Sequence, residues 1–232
     1  MLILAVDTSG KQGSIALAEC GVRQSCAVVE VVPLRGGAFS AELVPQIAGL
    51  LEKHGRHRRD LAALVVATGP GSFTGLRVGL AAIKALAEVL RKPIAAISLL
   101  EAVACSAGTG GRVLAALDAG RGDVYVGDYE LEPRLPMNAH MRSERLLSRK
   151  EFLSLAKEAE AEGQTLVTPD ATLAEAVRAI AIQLEPIDYP DSGVLVGLGW
   201  VHLQRGETVR PENLEANYIR HSDAEIFSKP VR

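Results

Sequence analysis

Cysteine is scarce in this chain, and aromatic residues are few. The 232 residues include only Cys20, Cys26 and Cys105, an odd number without a CxxC spacing. Such a pattern argues against a disulfide framework and against a zinc ribbon. Aromatic residues make up 4% of the chain, a composition that suits helices packed on sheets better than an aromatic platform for stacking bases.

The chain also lacks an excess of basic charge and any long hydrophobic run. Lys and Arg total 25 against 28 Asp and Glu, a net charge of -3, whereas a protein that grips nucleic acid alone normally carries a basic excess. A role on tRNA or DNA would therefore need a partner. No run approaches the ~18 apolar residues of a membrane span, and Asp7 interrupts the first apolar run too early for a signal peptide. We expect a cytoplasmic protein.

What is present is a hydrophobic fraction of 48%, arranged with strand and helix periodicities. Apolar runs predict three strands at the start of the chain, after which Ser40 is placed to cap a helix that ends near His54. The elements predicted next are a strand over 61–67, a helix over 76–90, a strand over 94–97 and a helix over 99–107. The first half therefore reads β-β-β-α-β-α-β-α, which is typical of an α/β fold.

A second unit is predicted to begin after the Gly-rich stretch over 108–111. The apolar run that ends at Asp118 repeats the run that ends at Asp7, 111 residues earlier, and each precedes a small turn and a second strand. This interval is too long for a solenoid repeat and suits a duplicated domain. We therefore divide the chain into an N-terminal domain over 1–110 and a less regular C-terminal domain over 111–232.

Helix-capping patterns organise the second half. Ser148 and Glu151 form a capping box for a helix to about residue 162. Asp170 is predicted to cap a helix that ends near Leu184, and Asp191 or Ser192 is predicted to cap another helix that ends at Arg205. The strands predicted in this half cover 112–118, 125–131 and 165–167, with a loop over 133–136.

The strongest local signal is the loop Gly69-Pro-Gly-Ser-Phe-Thr-Gly75, between a predicted buried strand and a helix. Such a turn directs backbone N–H groups toward the space above the helix N-terminus, so an anion site is one interpretation. The loop has neither the Gly-Lys-Ser/Thr of a P-loop nor the spacing of a dinucleotide fingerprint. The other interpretation is a tight turn with Ser72 or Thr74 as the N-cap, whose glycines supply positive φ.

Two aspartates, Asp7 and Asp118, each end a predicted strand beside a turn. They could hold a hydrated metal ion at a nucleotide phosphate, or each could accept hydrogen bonds from its own turn. The five histidines show no metal-binding spacing. The candidate loop, anion or vestigial nucleotide site comprises Asp7, Thr8, Gly69, Gly71, Ser72, Thr74, Gly75 and Asp118.

Several of these segments together resemble the TsaB (YeaZ-like) family. The resemblance is carried by Asp7-Thr8, the eleven residues from Gly69 to Gly79, Ser98-Leu, Asp118-Ala, Gly122-Asp-Val-Tyr125 and the tail Asn217-Tyr-Ile-Arg220. It implies an actin/Hsp70-like (ASKHA) α/β fold of two related domains, with mixed sheets flanked by helices. It also implies a subunit that has lost catalysis and supports a homologous TsaD-type subunit, which transfers threonylcarbamoyl to adenosine 37 of tRNAs that read ANN codons.

The same resemblance implies a TsaE-type ATPase as a further partner and contact with tRNA through the complex. The helix over 76–90 has no histidine where the TsaD-type relative carries a metal-binding HxxxH pair. We therefore expect no metal and no other cofactor, and we assign no catalytic residue. The competing class is an actin-like-fold ATPase or a glycoprotease-type peptidase, although no nucleophile and base stand at a recognisable spacing.

Two predicted helices carry more apolar surface than one sheet can cover. The helix predicted over 76–90 has one apolar stripe that includes Leu76, Leu80 and Ile83, and a second apolar stripe turned away from the first. The helix that ends near His54 also has two apolar stripes. Small soluble proteins rarely leave such a patch in water. The candidate interface residues are Val44, Ala48, Leu51, Val78, Ala82, Ala85, Leu86 and Val89. We expect them to contact the TsaD-type subunit, or a second copy of the chain when that subunit is absent.

Overall fold

The computed structural model describes residues 1–21, 26–132 and 139–220. The first half contains β1 (Leu2–Asp7), β2 (Gln12–Cys20), β3 (Cys26–Arg35), α1 (Phe39–Lys53), β4 (Leu61–Gly69), α2 (Phe73–Leu90), β5 (Ile94–Ser98) and α3 (Leu99–Cys105). This order confirms the predicted succession of strands and helices. The strands form one mixed sheet in the order β3-β2-β1-β4-β5, in which β1 pairs antiparallel with β2 and parallel with β4.

The second half repeats this arrangement. It contains β6 (Gly111–Gly120), β7 (Asp123–Leu131), β8 (Ala139–Ser148), α4 (Arg149–Ala161), β9 (Thr165–Thr168), α5 (Ala171–Arg178), β10 (Glu185–Pro186) and α6 (Ser192–Arg205). Its sheet has the order β10-β9-β6-β7-β8, so that β6 to β10 take the places of β1 to β5. The predicted pair of related α/β units with mixed sheets is confirmed, and the division between residues 110 and 111 stays a prediction.

β8 is a strand that the sequence did not predict. It pairs with β7 along its length, from Asp123 opposite Ser148 to Leu131 opposite Ala139. It contains no fully buried residue and lies at the edge of its sheet. An edge strand of this kind lacks the apolar alternation by which strands are recognised. The predicted loop over 133–136 lies outside the described residues.

Several predicted caps are confirmed by the helix ends. Ser72 caps α2, Ser148 and Glu151 form a complete capping box at α4, and Asp191 accepts two backbone N–H groups at the start of α6. Gly206 ends α6 in the left-handed conformation with φ of +72°. Short polar side chains that accept the unpaired N–H groups of the first turn therefore fix these helices locally.

Three helix ends need correction. α1 begins at Phe39, so Ser40 lies inside its first turn and does not cap it. α2 begins at Phe73, three residues earlier than predicted, because Ser72 caps it. α5 ends at Arg178, well before the predicted end near residue 184, and Asp170 makes no capping hydrogen bond there.

Cys20 and Cys26 form a disulfide bond, which corrects the expectation drawn from the number and spacing of the cysteines. Cys20 ends β2 and Cys26 begins β3, and the two residues pair directly across this hairpin with Cα atoms 4.1 Å apart. Opposed positions in adjacent strands bring two sulfur atoms within bonding range whatever the sequence spacing. Cys105 is the free cysteine, and burial, together with the charge of Glu101, raises the pKa of its thiol to about 12.

Each half of the chain contributes one helix that packs on the sheet of the other half, and we call α3 and α6 the exchanged helices. α3 follows β5 of the first sheet but packs on β6, β7 and β8, whereas α6 follows β10 of the second sheet but packs on all five strands of the first. Leu100, Val103, Leu195 and Trp200 of these helices are buried in a core that both sheets share. The hydrophobic effect therefore joins the two halves. α1 and α2 cover the outer face of the first sheet, and α4 and α5 cover that of the second.

Across the part of the chain that the structure describes, none of the helices combines the length and the apolar character that a bilayer crossing requires.

An ion pair links the two exchanged helices. His202 Nε2 of α6 lies 2.9 Å from Oε1 of buried Glu101 on α3, and His202 Nδ1 lies 3.6 Å from Glu207. Burial of the imidazole opposes its charging. The hydrogen bond with Glu101 and the charges of Glu101 and Glu207 outweigh that burial and the opposing charge of Arg205, so the pKa of His202 is raised.

We expect this pair to make the free energy of unfolding depend on pH. Because the pKa of His202 is raised in the folded chain above its ordinary value of 6.5, the pair stabilises fully below that value and loses its contribution as the pH rises through the folded pKa. Urea unfolding of wild type and His202→Gln, from about pH 5.5 to about pH 8.5, measures the effect. The difference in unfolding free energy should shrink as the pH rises, and Glu101→Gln should show the same trend. A difference that stays constant over this range would contradict the assignment.

Candidate functional site

The turn between β1 and β2 lies against the start of α2. The buried Thr8 donates its hydroxyl to the Gly75 carbonyl at 2.8 Å, and the Ser72 N–H donates to the Ser9 carbonyl at 2.6 Å. One turn further along α2, a Cβ atom on Gly79 would lie 2.3 Å from Thr8 Oγ1. The turn and the glycine loop therefore form one hydrogen-bonded unit at the carboxyl ends of β1 and β4.

Two loop glycines allow the backbones of these segments to touch. A Cβ atom on Gly71 would lie 2.3 Å from the Ser9 carbonyl oxygen, and one on Gly75 would lie 2.1 Å from the Thr8 carbonyl oxygen. Close backbone approach thus requires glycine at both positions. The expectation that the loop glycines supply positive φ holds for Gly69 alone among the loop residues, at +108°.

Ser72 serves the helix that it precedes. Its hydroxyl accepts the Gly75 N–H at 3.3 Å, which decides between the two candidate caps in its favour. Thr74 lies in the first turn of α2 with its side chain exposed. Within the described residues, no histidine or carboxylate is hydrogen-bonded to the Ser72 hydroxyl, so the base that a serine nucleophile needs is missing from this arrangement.

Asp7 is buried at the end of β1, where its own turn satisfies it. Its Oδ1 accepts the Ser9 N–H at 2.8 Å and the Ser9 hydroxyl at 2.6 Å. Burial raises the pKa of the Asp7 carboxyl, and the hydrogen bonds from Ser9 only partly offset that rise. This geometry favours the turn interpretation over the metal interpretation.

Asp118 occupies the equivalent place in the second sheet, but it is exposed. Its carboxylate accepts the Gly120 N–H at 3.0 Å, and its own N–H donates to Asp170 Oδ2 at 2.7 Å. The sequence analysis selected Asp170 only as a helix cap. Burial raises the pKa of the Asp170 carboxyl, although the hydrogen bond from the Asp118 N–H opposes this rise. Across residues 1–21, 26–132 and 139–220, no group of three or more His, Cys, Asp and Glu side chains is placed to hold a metal ion.

A tail segment, residues 214–220, connects the two sheets beside this site. Asn217 donates its N–H to a β4 carbonyl at 2.8 Å and its side-chain amide to Glu144 of β8. The Glu144 carboxylate also accepts hydrogen bonds from Ser98 and Tyr129. Glu144 was not selected from the sequence because β8 was not predicted, whereas the tail was recognisable only through the family resemblance.

The outward surface of α1 and α2 is an apolar face that no described residue covers. Val44 and Val89 are 64% and 75% exposed, and Ala48 and Ala85, each about one helical turn from one of these valines, are exposed as well. We call these four residues the outer helix face. A single exposed valine is common on a protein surface, but a contiguous patch of apolar and small residues is typical of a protein–protein interface.

The remaining interface candidates lie deeper. Val78, Ala82 and Leu86 are partly buried against the core between the helices and the first sheet. Leu51 is only 5% exposed and belongs to that core, so its selection as an interface residue is wrong. Its position on a second stripe at helical spacing did not show that it is buried in this core.

A family model described as TsaD, tRNA N6-adenosine threonylcarbamoyltransferase, matches residues 32–188 of the chain. The match includes α1, the glycine loop and α2 of the first unit, together with all five strands of the second sheet.

Curated relatives match a shorter part of the chain. A Bacillus subtilis protein named tRNA threonylcarbamoyladenosine biosynthesis protein TsaB is 37% identical over 131 residues, which cover 56% of this chain and 56% of that protein. The Escherichia coli protein of the same name is 35% identical over 133 residues, which cover 56% of this chain and 55% of that protein. The matches thus span about half the length of these curated relatives.

A solved structure matches nearly the whole chain. It is the crystal structure of an uncharacterized Pseudomonas aeruginosa protein with similarity to peptidase YeaZ, with a TM-score of 0.74 and 26% identity. The match covers 94% of this chain and 99% of that one. Together with the repeated sheet order, this similarity confirms the actin/Hsp70-like (ASKHA) fold that the family resemblance implied.

We expect the glycine loop to act by its shape and not by the Ser72 hydroxyl. Gly71→Val would drive a side chain into the Ser9 carbonyl and should lower the free energy of unfolding by about 3 kcal/mol or more. Ser72→Ala removes one cap and should lower it by about 1 kcal/mol. Gly49→Val is the matched control, because the space around Gly49 is open. Chemical denaturation measures all three, and a Gly71 variant no less stable than the Gly49 variant would refute the packing argument.

Proposed function

Because this chain belongs to the TsaD family, and is TsaB- and YeaZ-like within it, we propose that it acts in tRNA threonylcarbamoyladenosine biosynthesis as the partner of a TsaD-type subunit. In this proposal the chain is a non-catalytic scaffold that activates threonylcarbamoyl transfer to adenosine 37 of tRNAs that read ANN codons. The relatives named TsaB are the reason for choosing this role over that of the transferase itself.

The packing of the glycine loop supports a non-catalytic role. The backbone of Thr8 and Ser9 lies on the surface of Gly71 and Gly75, so a phosphate group has no access to these glycines from that side. Ser72 is engaged as a helix cap. No observation among the described residues favours an ATPase or a peptidase.

The outer helix face is the observation that carries the partner assignment. Its two alanines and Gly49 are small, which permits close approach of partner helices at these positions. Val44 and Val89 supply apolar area that association would remove from water. We assign this face to the TsaD-type subunit, or to a second copy of the chain when that subunit is absent. The larger assembly would add a TsaE-type ATPase and tRNA, in the cytoplasm.

Reconstitution tests this function directly. The purified chain, combined with a TsaD-type subunit, a TsaE-type ATPase, tRNA and a source of threonylcarbamoyl-adenylate, should yield threonylcarbamoyladenosine, measured by mass spectrometry of digested tRNA. Omitting the chain should abolish the product, and the chain alone should turn over neither ATP nor casein. Ala85→Glu should weaken copurification with the TsaD-type subunit by about tenfold or more, because an unpaired charge would be buried at the contact.

Ala171→Glu is the matched control, since it places the same charge on an exposed helical alanine of α5. Both variants should keep the thermal melt of the wild type. A folded Ala85→Glu chain that binds the TsaD-type subunit as tightly as wild type would rule out the outer helix face, and full modification without the chain would rule out the function.

A further inference from the structure

A cavity of about 500 Å³ opens between the glycine loop, the β6–β7 turn and the tail segment. Its lining includes the aromatic residues Phe73, Tyr125 and Tyr218 and the arginines Arg121 and Arg220. No aspartate or glutamate is among the described residues that line it. In a chain with 4% aromatic residues, this concentration of rings and guanidinium groups is local, and Asp123 beside the lining is ion-paired with Arg220. It fits a ligand that is flat and anionic.

The rings at the cavity mouth are exposed and held in place. Phe73 and Tyr218 are 40% and 42% exposed, with ring centroids 5.2 Å apart. The Arg77 guanidinium carbon lies 3.8 Å from the centre of the Phe73 ring, and its Nε donates to the Tyr218 hydroxyl at 3.4 Å. Two rings and a guanidinium plane thus form an ordered stacking group that is ready before any ligand arrives.

The two arginines of the lining come from the β6–β7 turn and the tail segment. Arg121 is exposed at the centre of the β6–β7 turn, in the left-handed conformation with φ of +57°, between two glycines that also have positive φ. This tight turn fixes the direction in which the Arg121 side chain leaves the backbone. Arg220 donates to Asp123 and to the Gly120 carbonyl, so it holds the tail segment against the same turn.

We propose that this cavity binds an unpaired base and the adjoining phosphate of a single-stranded RNA segment. Exposed aromatic rings and arginine planes are the surfaces on which splayed RNA bases stack, and guanidinium groups contact the phosphates. Naming tRNA as the source of that segment rests on the proposed function. The inference goes beyond that function, which places tRNA in the complex without a contact to this chain.

Fluorescence anisotropy of the whole purified chain with a labelled anticodon stem-loop RNA tests the proposal. Tyr218→Ala should weaken binding about tenfold, whereas Tyr218→Phe, which keeps the ring and loses only the hydrogen bond from Arg77, should retain most of the affinity. Arg121→Gln should weaken binding and reduce the slope of log Kd against log salt by roughly 0.7, the value for one phosphate contact on a single strand. The matched control is Arg59→Gln, which removes an exposed charge at the opposite end of β4 and should change little.

Four results would overturn the proposal. They are wild-type affinity in Tyr218→Ala, equal losses in Arg121→Gln and Arg59→Gln, no saturable RNA binding by the wild-type chain, and competition by AMP as effective as that by unlabelled RNA. Arg121→Gln keeps the test decisive if Tyr218→Ala does not fold. The anisotropy measurement needs neither the partner subunit nor tRNA modification. RNA binding by the chain can therefore fail while reconstitution of the proposed function succeeds, and reconstitution can fail while RNA binding succeeds.

Discussion

The approach of the β1–β2 turn to the first residues of α2 is the contact on which the rest of the structure depends. The carbonyl groups of Thr8 and Ser9 rest on glycines, and the Thr8 hydroxyl is bonded to Gly75. This contact sets the rotation of α2 about its axis, so that Ile83 faces the first sheet and Val89 faces outward. The same contact thus determines both the shape of the loop and the direction of the outer helix face.

The second unit shares the sheet order of the first but not this contact. α5, in the place of α2, has eight residues, and a Thr-Pro-Asp segment without glycine precedes it. The end of β6, at the Asp118 N–H, therefore meets the Asp170 side chain, whereas the turn after β1 meets backbone. The exchange of α3 and α6 then unites the two diverged units in one core, and Glu144 and Asn217 join their edges.

Local chemistry in the sequence was enough for the features that depend on neighbours along the chain. The Ser72, Ser148 and Asp191 caps and the repeated strand ending in aspartate are of this kind. Features that depend on the register between paired strands, or on packing between elements, could not be predicted. β8 has a polar sequence and is defined by its partner strand, and the Cys20–Cys26 bond follows from hairpin register. Leu51 looked like surface by spacing, but the packing of α1 buries it.

The candidate site was likewise only partly predictable from the sequence. The glycine loop was recognisable as a strand-to-helix turn, but its close contact with Thr8 and Ser9 became evident only from the structure. We expect this contact to exclude a nucleotide from the loop. Isothermal titration calorimetry of the isolated chain with ATP and Mg²⁺ tests it most directly. If the loop is closed to nucleotides, the titration shows no saturable heat at micromolar concentrations of the chain. A sub-micromolar Kd with one nucleotide per chain would show that the loop binds nucleotide.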